Sequence, residues 1–241
     1  MRGLLRAWRR YPPLRRRIAR VQRPAWLGTL RRRTPLSERW GFDRGSPVDR
    51  YYIEQFLARH GPDIRGRALE VKDGGYIRRF GHNVTRADVI DVDSTNRQAT
   101  MIGDLAHPDA LDREAYDCCI VVQTLHFILH PRSAVHTLYR ALRPGGVLLV
   151  TLPSISRVDP DAPDTDYWRF TPAVCRRLFG EYFGEGSIQV DGLGSLLTSI
   201  AFLAGMAQEE LSRDELDHHD AAFPVIVSVR AVKPSDTKSA P

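Results

Sequence analysis

The stretch Ala68-Leu69-Glu70-Val71-Lys72-Asp73-Gly74-Gly75-Tyr76 predicts the fold of this 241-residue chain. It begins as a short apolar strand with an acidic residue near its end and continues into two adjacent glycines. Because glycine has no Cβ, the pair lets the backbone turn sharply and come close to a ligand. We interpret the stretch as a strand and a turn that faces a ligand, with a plain tight turn as the alternative.

A second carboxylate follows at the spacing that a nucleotide-binding fold requires. The apolar run 87–92 is followed by Asp93, which lies 23 positions after Glu70. A strand, a glycine turn, a return segment and a second strand ending in an acid form one half of a doubly wound sheet. The two oxygens of such an acid can accept from both hydroxyls of a ribose, so we expect Asp93 to bind one.

The rest of the chain alternates between strand and helix patterns. Strands are predicted at 67–71, 87–92, 99–102, 116–122, 147–152, 188–190 and 223–232, and helices at 46–60, 76–80, 108–114, 131–142, 172–183 and 195–210. This alternation predicts an α/β fold with a doubly wound, mostly parallel, seven-stranded Rossmann-like sheet and helices on both faces.

Charge is distributed unevenly along the chain. Residues 1–37 hold twelve arginines and no acid, whereas the remainder holds 23 Lys and Arg against 29 Asp and Glu. We interpret 1–37 as a flexible Arg-rich extension, 38–232 as the α/β domain and 233–241 as a tail. The aromatic residues among the arginines leave two alternatives for the extension, contact with nucleic-acid phosphates or with an anionic membrane surface.

Composition excludes several other classes of protein. No apolar run reaches about 18 residues, so no transmembrane helix is expected. The N-terminus lacks the apolar segment of a signal peptide, which predicts a cytoplasmic protein. Cys118, Cys119 and Cys175 have neither a disulfide nor a metal-ligand spacing, and we expect them to be buried reduced thiols. His218-His219 is interpreted as part of a solvated loop, so no metal site is predicted.

Residues 45–232 resemble a class I S-adenosylmethionine-dependent methyltransferase. The resemblance is carried by Leu69-Glu70-Val71 before Gly74-Gly75, by Asp93, by Asp104-Leu105, by Tyr116-Asp117, by Arg143-Pro144-Gly145-Gly146 and by Trp168-Arg169-Phe170-Thr171-Pro172. It implies S-adenosylmethionine as the cofactor. The cofactor-binding residues that it implies are Glu70, Gly74, Gly75, Asp93, Asp104, Leu105 and Gln123. Among such proteins the chain is most similar to the small-molecule and glycan-associated type.

The sequence departs from that family in the glycine turn. Members carry three alternating glycines, but Lys72 and Tyr76 occupy the outer two places here. Two interpretations are open. The turn follows a path on which both side chains point away from the cofactor, or cofactor binding is weakened or lost and the domain is a non-catalytic binding module.

The predicted reaction is O-methylation of a small molecule or of a sugar or glycan hydroxyl. A hydroxyl is a poor nucleophile until a base helps to remove its proton. We predict His126, just beyond the fourth strand, as this catalytic base. His130, Tyr167 and Arg169 are predicted to bind the acceptor. The alternatives are an RNA methyltransferase that uses the basic extension, the non-catalytic module and an NAD-dependent oxidoreductase.

Overall fold

The computed structural model describes residues 28–235 of the chain. The chain divides into two compact units between Pro35 and Leu36, and the first unit contributes a 3-10 helix at Gly28–Arg31. The second unit holds the α/β domain. Its strands are β1 Gly66–Val71, β2 Val84–Asp91, β3 Met101–Ile102, β4 Tyr116–Val122, β5 Leu142–Pro153, β6 Ile188–Leu193 and β7 Ile226–Val232. Its helices are α1 Val48–Arg59, α2 Gly75–Phe80, α3 Pro131–Ala141, α4 Pro172–Phe183, α5 Leu196–Ala204 and α6 Arg213–Asp217.

The seven strands form one sheet in the order β3-β2-β1-β4-β5-β7-β6. Strands β1 to β5 pair in parallel, whereas β7 runs antiparallel between β5 and β6. The predicted doubly wound, mostly parallel, seven-stranded sheet is therefore confirmed. The order reverses beside β1, and in open α/β sheets the ligand crevice lies at the carboxyl ends of the strands next to such a reversal.

Each face of the sheet is covered by its own apolar cluster. Leu69 and Cys119 pack with helices α3 and α4, while Ala68 and Cys118 pack with α1 and α5 on the opposite face. This separation follows from the two-residue period of a strand, which sends neighbouring side chains to opposite faces. Cys118, Cys119 and Cys175 are buried free thiols, and burial raises the pKa of all three.

Local capping signals fix several helix ends, one of them as predicted and one of them earlier than predicted. Helix α4 occupies the predicted range 172–183, because Thr171 Oγ1 accepts from Val174 N at 3.3 Å and Pro172 suits the first helical position. Helix α5 ends at Ala204 rather than near 210, because Gly205 adopts a left-handed φ of +75°.

Other boundaries differ from the prediction, and three of these differences are at or near the site. The segment 108–114 forms turns instead of a helix, and the first helix begins at Val48 without a side-chain cap from Ser46. Strand β2 ends at Asp91, one residue earlier than predicted, because Val92 is 69% exposed and leaves the sheet. The predicted ribose-binding residue Asp93 therefore lies two residues beyond the end of the strand.

Residues 36–47 pack against the segment that follows α5. Leu36 N donates to Ala204 O at 2.7 Å, Glu209 accepts from Ser46 N at 2.9 Å, and Arg44 pairs with Glu210. This attachment places the start of α1 above the carboxyl edge of the sheet. Residues 1–27 of the predicted extension and 236–241 of the predicted tail lie outside the described residues. The boundary at residue 37 stays a prediction, and none of the helices in residues 28–235 has the length and apolar character to cross a membrane.

Candidate functional site

A cavity of about 1120 Å³ opens at the carboxyl edge of the sheet. Its wall is built from the ends of β1, β2, β4 and β5, from residues 40–50 and from the loop that follows β5. Pockets for small ligands commonly enclose about 300–1,000 Å³, so this one has room for a nucleoside-sized molecule and a second small molecule.

The turn after β1 retains a glycine-like backbone at Lys72. Lys72 has φ +75°, a left-handed conformation that costs a residue with a Cβ about 1–2 kcal/mol. Lys72 N donates to Ile90 O at 2.9 Å, and Gly75 N donates to Asp73 Oδ1 at 2.8 Å, which closes the turn. The lysine therefore occupies a position whose backbone favours glycine, and its side chain is exposed at the cavity wall.

Tyr76 is held against helix α1. Its hydroxyl accepts from Arg50 Nη1 at 2.8 Å, and its ring stacks on Phe80 with centroids 6.2 Å apart. Tyr76 thus forms part of the cavity wall, and the cavity remains open beside it.

The two glycines lie within the turn and not in the cavity wall. A Cβ on Gly74 would meet only Arg78 Nη1 at 3.2 Å and Val89 Cγ2 at 3.5 Å, whereas a Cβ on Gly75 would lie 2.7 Å from Asp73 Oδ1. Gly75 is therefore needed by the turn itself. Gly74 is buried, and a Cβ there would lie closer to Arg78 Nη1 than ordinary van der Waals contact allows.

Glu70 fixes the start of α2. It is 3% exposed, and its carboxylate accepts from Ile77 N at 2.8 Å and from Tyr76 N at 3.1 Å. These amides lack partners within the helix because they belong to its first turn. Burial raises the pKa of Glu70 to about 7, against the opposing effect of the two amides. Glu70 also lines the cavity, so it joins the turn to the ligand site.

The structure moves the second acidic position from Asp93 to Asp91. Asp93 is exposed and outside the cavity wall, and its Oδ1 accepts from Thr95 N at 2.8 Å and from Thr95 Oγ1 at 2.7 Å. These hydrogen bonds lower the pKa of Asp93. Asp91 ends β2 and lines the cavity. The acid at the strand end is thus Asp91, which the sequence prediction had included within the apolar run.

Asn96 connects Asp91 to the glycine turn. Its Nδ2 donates to Asp91 Oδ2 and to Lys72 O, both at 2.6 Å. The ends of β1 and β2 are thereby held together at the cavity rim, and Asp91 Oδ1 accepts from Asp93 N at 3.1 Å. This contact was not predicted from the sequence.

The other residues of the predicted cofactor set lie in the same wall. Leu105 is 4% exposed, while Asp104 is exposed and accepts from Ala106 N at 2.8 Å. Gln123 follows β4 with φ +46°, and its buried Nε2 has no hydrogen-bond partner in the described part of the chain. Asp104, Leu105 and Gln123 all line the cavity.

His126 lines the cavity wall, and one of its imidazole nitrogens is buried without a partner. It lies in a 3-10 helix at Leu125–Phe127 and is 8% exposed, and its buried Nδ1 has no hydrogen-bond partner among the described residues. Burial lowers the pKa of His126 to about 4, against the opposing effect of Asp166. The imidazole is therefore neutral at pH 7, and a neutral imidazole has one nitrogen able to accept a proton.

The three predicted acceptor-binding residues also line the cavity, but they differ in exposure and in their hydrogen bonds to the protein. Tyr167 and His130 are exposed. The Arg169 guanidinium is occupied, since Nη2 donates to Asp166 Oδ2 at 2.8 Å and to Arg157 O at 2.7 Å. This geometry favours a role in shaping the loop after β5 over direct contact with an acceptor.

Sequence reasoning missed the part of the wall contributed by residues 40–50. Trp40, Phe42, Asp49 and Arg50 line the cavity from this side. The Arg157 guanidinium lies 4.1 Å from the centre of the Trp40 ring and donates to Glu38 O, which connects this segment to the loop after β5. In the sequence, the one indication of this part of the wall was Asp49, an acid beside Val48 and Tyr52 on the apolar face of α1.

An adenosyl cofactor fits the residues of this site. Asp91 offers carboxylate oxygens at the end of β2, and Gln123 offers a buried amide without a protein partner. The volume of the cavity is also adequate. Among residues 28–235, no three His, Cys, Asp or Glu side chains are grouped so that they could hold a metal ion.

Comparison with known proteins agrees with this geometry. Residues 74–150 match the family described as a methyltransferase domain. The fold is similar to a S-adenosylmethionine-dependent methyltransferase from Archaeoglobus fulgidus, with 12% identity, a TM-score of 0.51 and coverage of 76% of this chain and 94% of that chain. A second such enzyme, from Mesorhizobium loti, gives 15% identity, a TM-score of 0.51 and coverage of 77% and 100%.

A third similar structure contains a product of the cofactor. It is a Haemonchus contortus phosphoethanolamine N-methyltransferase bound to S-adenosylhomocysteine, with 16% identity, a TM-score of 0.50 and coverage of 78% of this chain and 54% of that chain. None of the curated proteins matches the chain by sequence. The class I S-adenosylmethionine-dependent methyltransferase fold is confirmed, and S-adenosylmethionine is the cofactor of that class.

Replacing Lys72 by glycine should stabilise the protein. The left-handed backbone costs lysine about 1–2 kcal/mol, and the greater freedom of glycine in the unfolded chain returns about 0.5–1 kcal/mol of that. Lys72→Gly should therefore raise the free energy of unfolding by about 0.5–1 kcal/mol in urea denaturation. Lys72→Ala keeps the Cβ and is the control. An equal gain in both variants would assign the effect to the lysine charge and not to the backbone.

Glu70 should make stability fall as pH rises from about 4.5 to about 7. Its pKa is higher in the folded state, so the folded protein holds the proton over this range while the unfolded chain loses it. Relative to Glu70→Gln, the wild-type free energy of unfolding should drop by about 2–3 kcal/mol between these pH values. Urea unfolding at several pH values measures it, with the exposed Glu185→Gln as control. A constant difference between wild type and Glu70→Gln would contradict the prediction.

Proposed function

We propose that this protein is a S-adenosylmethionine-dependent methyltransferase that methylates a hydroxyl group of a small molecule, sugar or glycan. The observation that supports it best is His126, a buried neutral imidazole with an unpartnered nitrogen, in the same cavity wall as Asp91. A base beside a nucleotide-type site suits an acceptor whose proton must leave during the reaction, and a hydroxyl is such an acceptor.

In this proposal the cofactor is held by residues from four strand ends. Asp91, in place of Asp93, accepts from the ribose hydroxyls, and Asp104 and Leu105 contact the adenine. Glu70 holds the turn that contains Gly74 and Gly75, and Gln123 donates its free amide. When bound, S-adenosylmethionine supplies an electrophilic methyl group.

The chain itself contributes alignment, water exclusion and a proton acceptor. Residues 40–50 and the loop after β5 cover the cavity and reduce the access of water. His126 would accept the proton of the acceptor hydroxyl as the hydroxyl oxygen bonds to the methyl carbon, while the carbon–sulfur bond of the sulfonium breaks and S-adenosylhomocysteine is the leaving group. The resulting imidazolium is costly in a buried site, and the nearby carboxylate of Asp166 offsets part of that cost.

A non-catalytic binding module is the second candidate, and Lys72 and Tyr76 favour it because they replace glycines at the turn. Titration calorimetry with S-adenosylmethionine, S-adenosylhomocysteine and NAD separates the candidates. Binding of the first two ligands and not of NAD supports the enzyme, whereas no binding of any of them supports the module. The RNA-directed alternative depends on the basic extension, most of which lies outside the described residues.

Asp91→Ala should weaken S-adenosylmethionine binding by about 1–3 kcal/mol, because hydrogen bonds from the ribose hydroxyls to a carboxylate are lost. Asp93→Ala is the matched control and should change the dissociation constant by less than about threefold, a difference well below 1.4 kcal/mol. Calorimetry on both variants measures this. The reverse pattern, with Asp93 required and Asp91 dispensable, would restore the sequence prediction.

His126→Ala should lower kcat by about a hundredfold while the affinity for S-adenosylmethionine is retained, because only proton removal is lost. The exposed His136→Ala is the control. In wild type, the acid limb of kcat/KM should lie near pH 4, since burial lowers the pKa of His126 to about 4. Transfer of a labelled methyl group measures both, and a wild-type rate in His126→Ala would remove this residue from the mechanism.

A further inference from the structure

A second cavity, of about 700 Å³, lies beside the one described above. We call the larger space the main cavity and the smaller one the side cavity. The wall of the side cavity is formed by residues 129–133, by residues 168–171 and by the first two turns of α4. Leu129, His130 and Arg169 line both cavities, so the two spaces are adjacent. The volume of the side cavity lies within the common range of about 300–1,000 Å³ for small-ligand pockets.

Backbone hydrogen bonds place the side cavity next to the proposed base. In the loop after β5, Tyr167 N and Trp168 N donate to His126 O at 2.9 and 3.3 Å. Trp168 Nε1 donates to Ile128 O at 3.1 Å, which fixes the orientation of its ring. Tyr167 lines the main cavity, whereas Trp168 lines the side cavity. The segment that carries both residues therefore separates the two spaces, and a molecule that occupies both would pass close to His126.

The wall of the side cavity exposes several large apolar side chains to solvent. Leu129, Trp168 and Val174 are 50%, 42% and 44% exposed and all line this one cavity. Exposed apolar side chains that are scattered need no explanation, but a group of them around a concave surface is typical of a binding site. A ligand with an apolar body would remove this surface from water.

The two cavities differ in charge. The main cavity is lined by eight Asp and Glu side chains against four Lys and Arg side chains, whereas the side cavity is lined by three arginines and no acid. Arg132 is paired with Glu181 at 2.9 Å, and Arg169 Nη2 donates to Asp166 Oδ2 at 2.8 Å. Arg177 is exposed and, of the three, forms no ion pair with the described residues. Its guanidinium is available to a carboxylate or a phosphate, which it can bind through two parallel hydrogen bonds.

Helix α4 presents the cation and the apolar surface together. Val174, Arg177 and Leu178 lie three and four positions apart, so they share one face of the helix, and all three line the side cavity. This arrangement fits a molecule with an apolar body and one negatively charged group. The excess of acids in the main cavity disfavours the same charge there. Charge therefore sets the direction of a ligand that spans both spaces, with its anionic end in the side cavity.

We propose that the side cavity binds the far end of the methyl acceptor, and that the acceptor is an amphiphilic anion. Such a molecule carries the hydroxyl at one end, an apolar body, and a carboxylate or phosphate at the other end. Leu129, Trp168 and Val174 contact the apolar body, and Arg177 binds the anionic group. The position of the hydroxyl rests on the proposed function. The proposal adds a second binding site and a residue that determines specificity.

The first test measures binding to the full chain by titration calorimetry without S-adenosylmethionine, so its result does not depend on the proposed function. The probes are 2-naphthoate and 2-naphthyl phosphate, with 2-naphthamide as the neutral analogue, and acetate and inorganic phosphate as anions without an apolar body. The better naphthyl anion should bind at least tenfold more tightly than the last three probes, and the order of the two naphthyl anions distinguishes a carboxylate from a phosphate site. A smaller difference, or no binding of either naphthyl anion, would overturn the proposal.

Arg177→Gln tests the residue in the same assay. Loss of the cation should weaken binding of the better naphthyl anion at least tenfold, while Arg177→Lys keeps the charge and should lose less. The matched control is Arg113→Gln, since Arg113 is exposed and lines neither cavity, and it should change the dissociation constant by less than about twofold. An unchanged affinity in Arg177→Gln would overturn the proposal.

The second test asks whether the anion belongs to the acceptor. Transfer of a labelled methyl group from S-adenosylmethionine is measured with 2-naphthol and with 6-hydroxy-2-naphthoate, or with 6-hydroxy-2-naphthyl phosphate where the phosphate binds better. The anionic acceptor should have a KM at least tenfold lower, and Arg177→Gln should remove this difference. Equal KM values in wild type, or no transfer to either acceptor while S-adenosylmethionine binds, would overturn the proposal. Failure to bind S-adenosylmethionine would instead overturn the proposed function and leave the anion site standing.

Discussion

The hydrogen bonds from the start of α2 to the buried carboxylate of Glu70 are the contact on which the site depends. They join the end of β1 to the helix after the turn and fix the backbone between them. With this turn in place, Lys72 lies beside the end of β2, and Asn96 connects the two strand ends. Burial raises the pKa of the Glu70 carboxyl to about 7, which is unusual for a group whose role is only structural. Its position in the cavity wall explains why the fold retains it.

The cavity is completed by segments that do not belong to the central sheet. Residues 40–50 reach it because residues 36–47 are attached to the chain after α5. The loop after β5 also lines the cavity, and its conformation is held by Arg169, which donates hydrogen bonds to Asp166 and to the Arg157 carbonyl. Arg157 on the ring of Trp40 brings these two segments together. The ends of the strands therefore form one part of the cavity wall, and the two outer segments form the other part.

Much of the local strain and unsatisfied polarity in this domain lies at the same place. Lys72 and Gln123 both have positive φ, and Asp49, Gln123, His126 and Arg157 hold buried atoms without partners. Away from the cavity, the buried carboxylate of Asp88 is paired with Arg67 and Arg86. Left-handed backbone and buried atoms without partners lower the stability of the folded protein. Their concentration at one cavity is the usual pattern at a functional site.

The sequence by itself determined the elements whose signals are local. Strand β4 and helix α4 lie within the predicted bounds, because an apolar run between turns and a Thr-Pro cap act on neighbouring residues only. His126, Gln123 and Leu105 could be placed at strand ends for the same reason. Only the tertiary structure shows that β2 ends at Asp91 and that Asp93 lies outside the cavity wall, because the end of a strand depends on its pairing with the neighbouring strands. The tertiary structure also sets the left-handed backbone of Lys72 and places Asp49 in the cavity wall. Both features follow from contacts between segments that are distant in sequence.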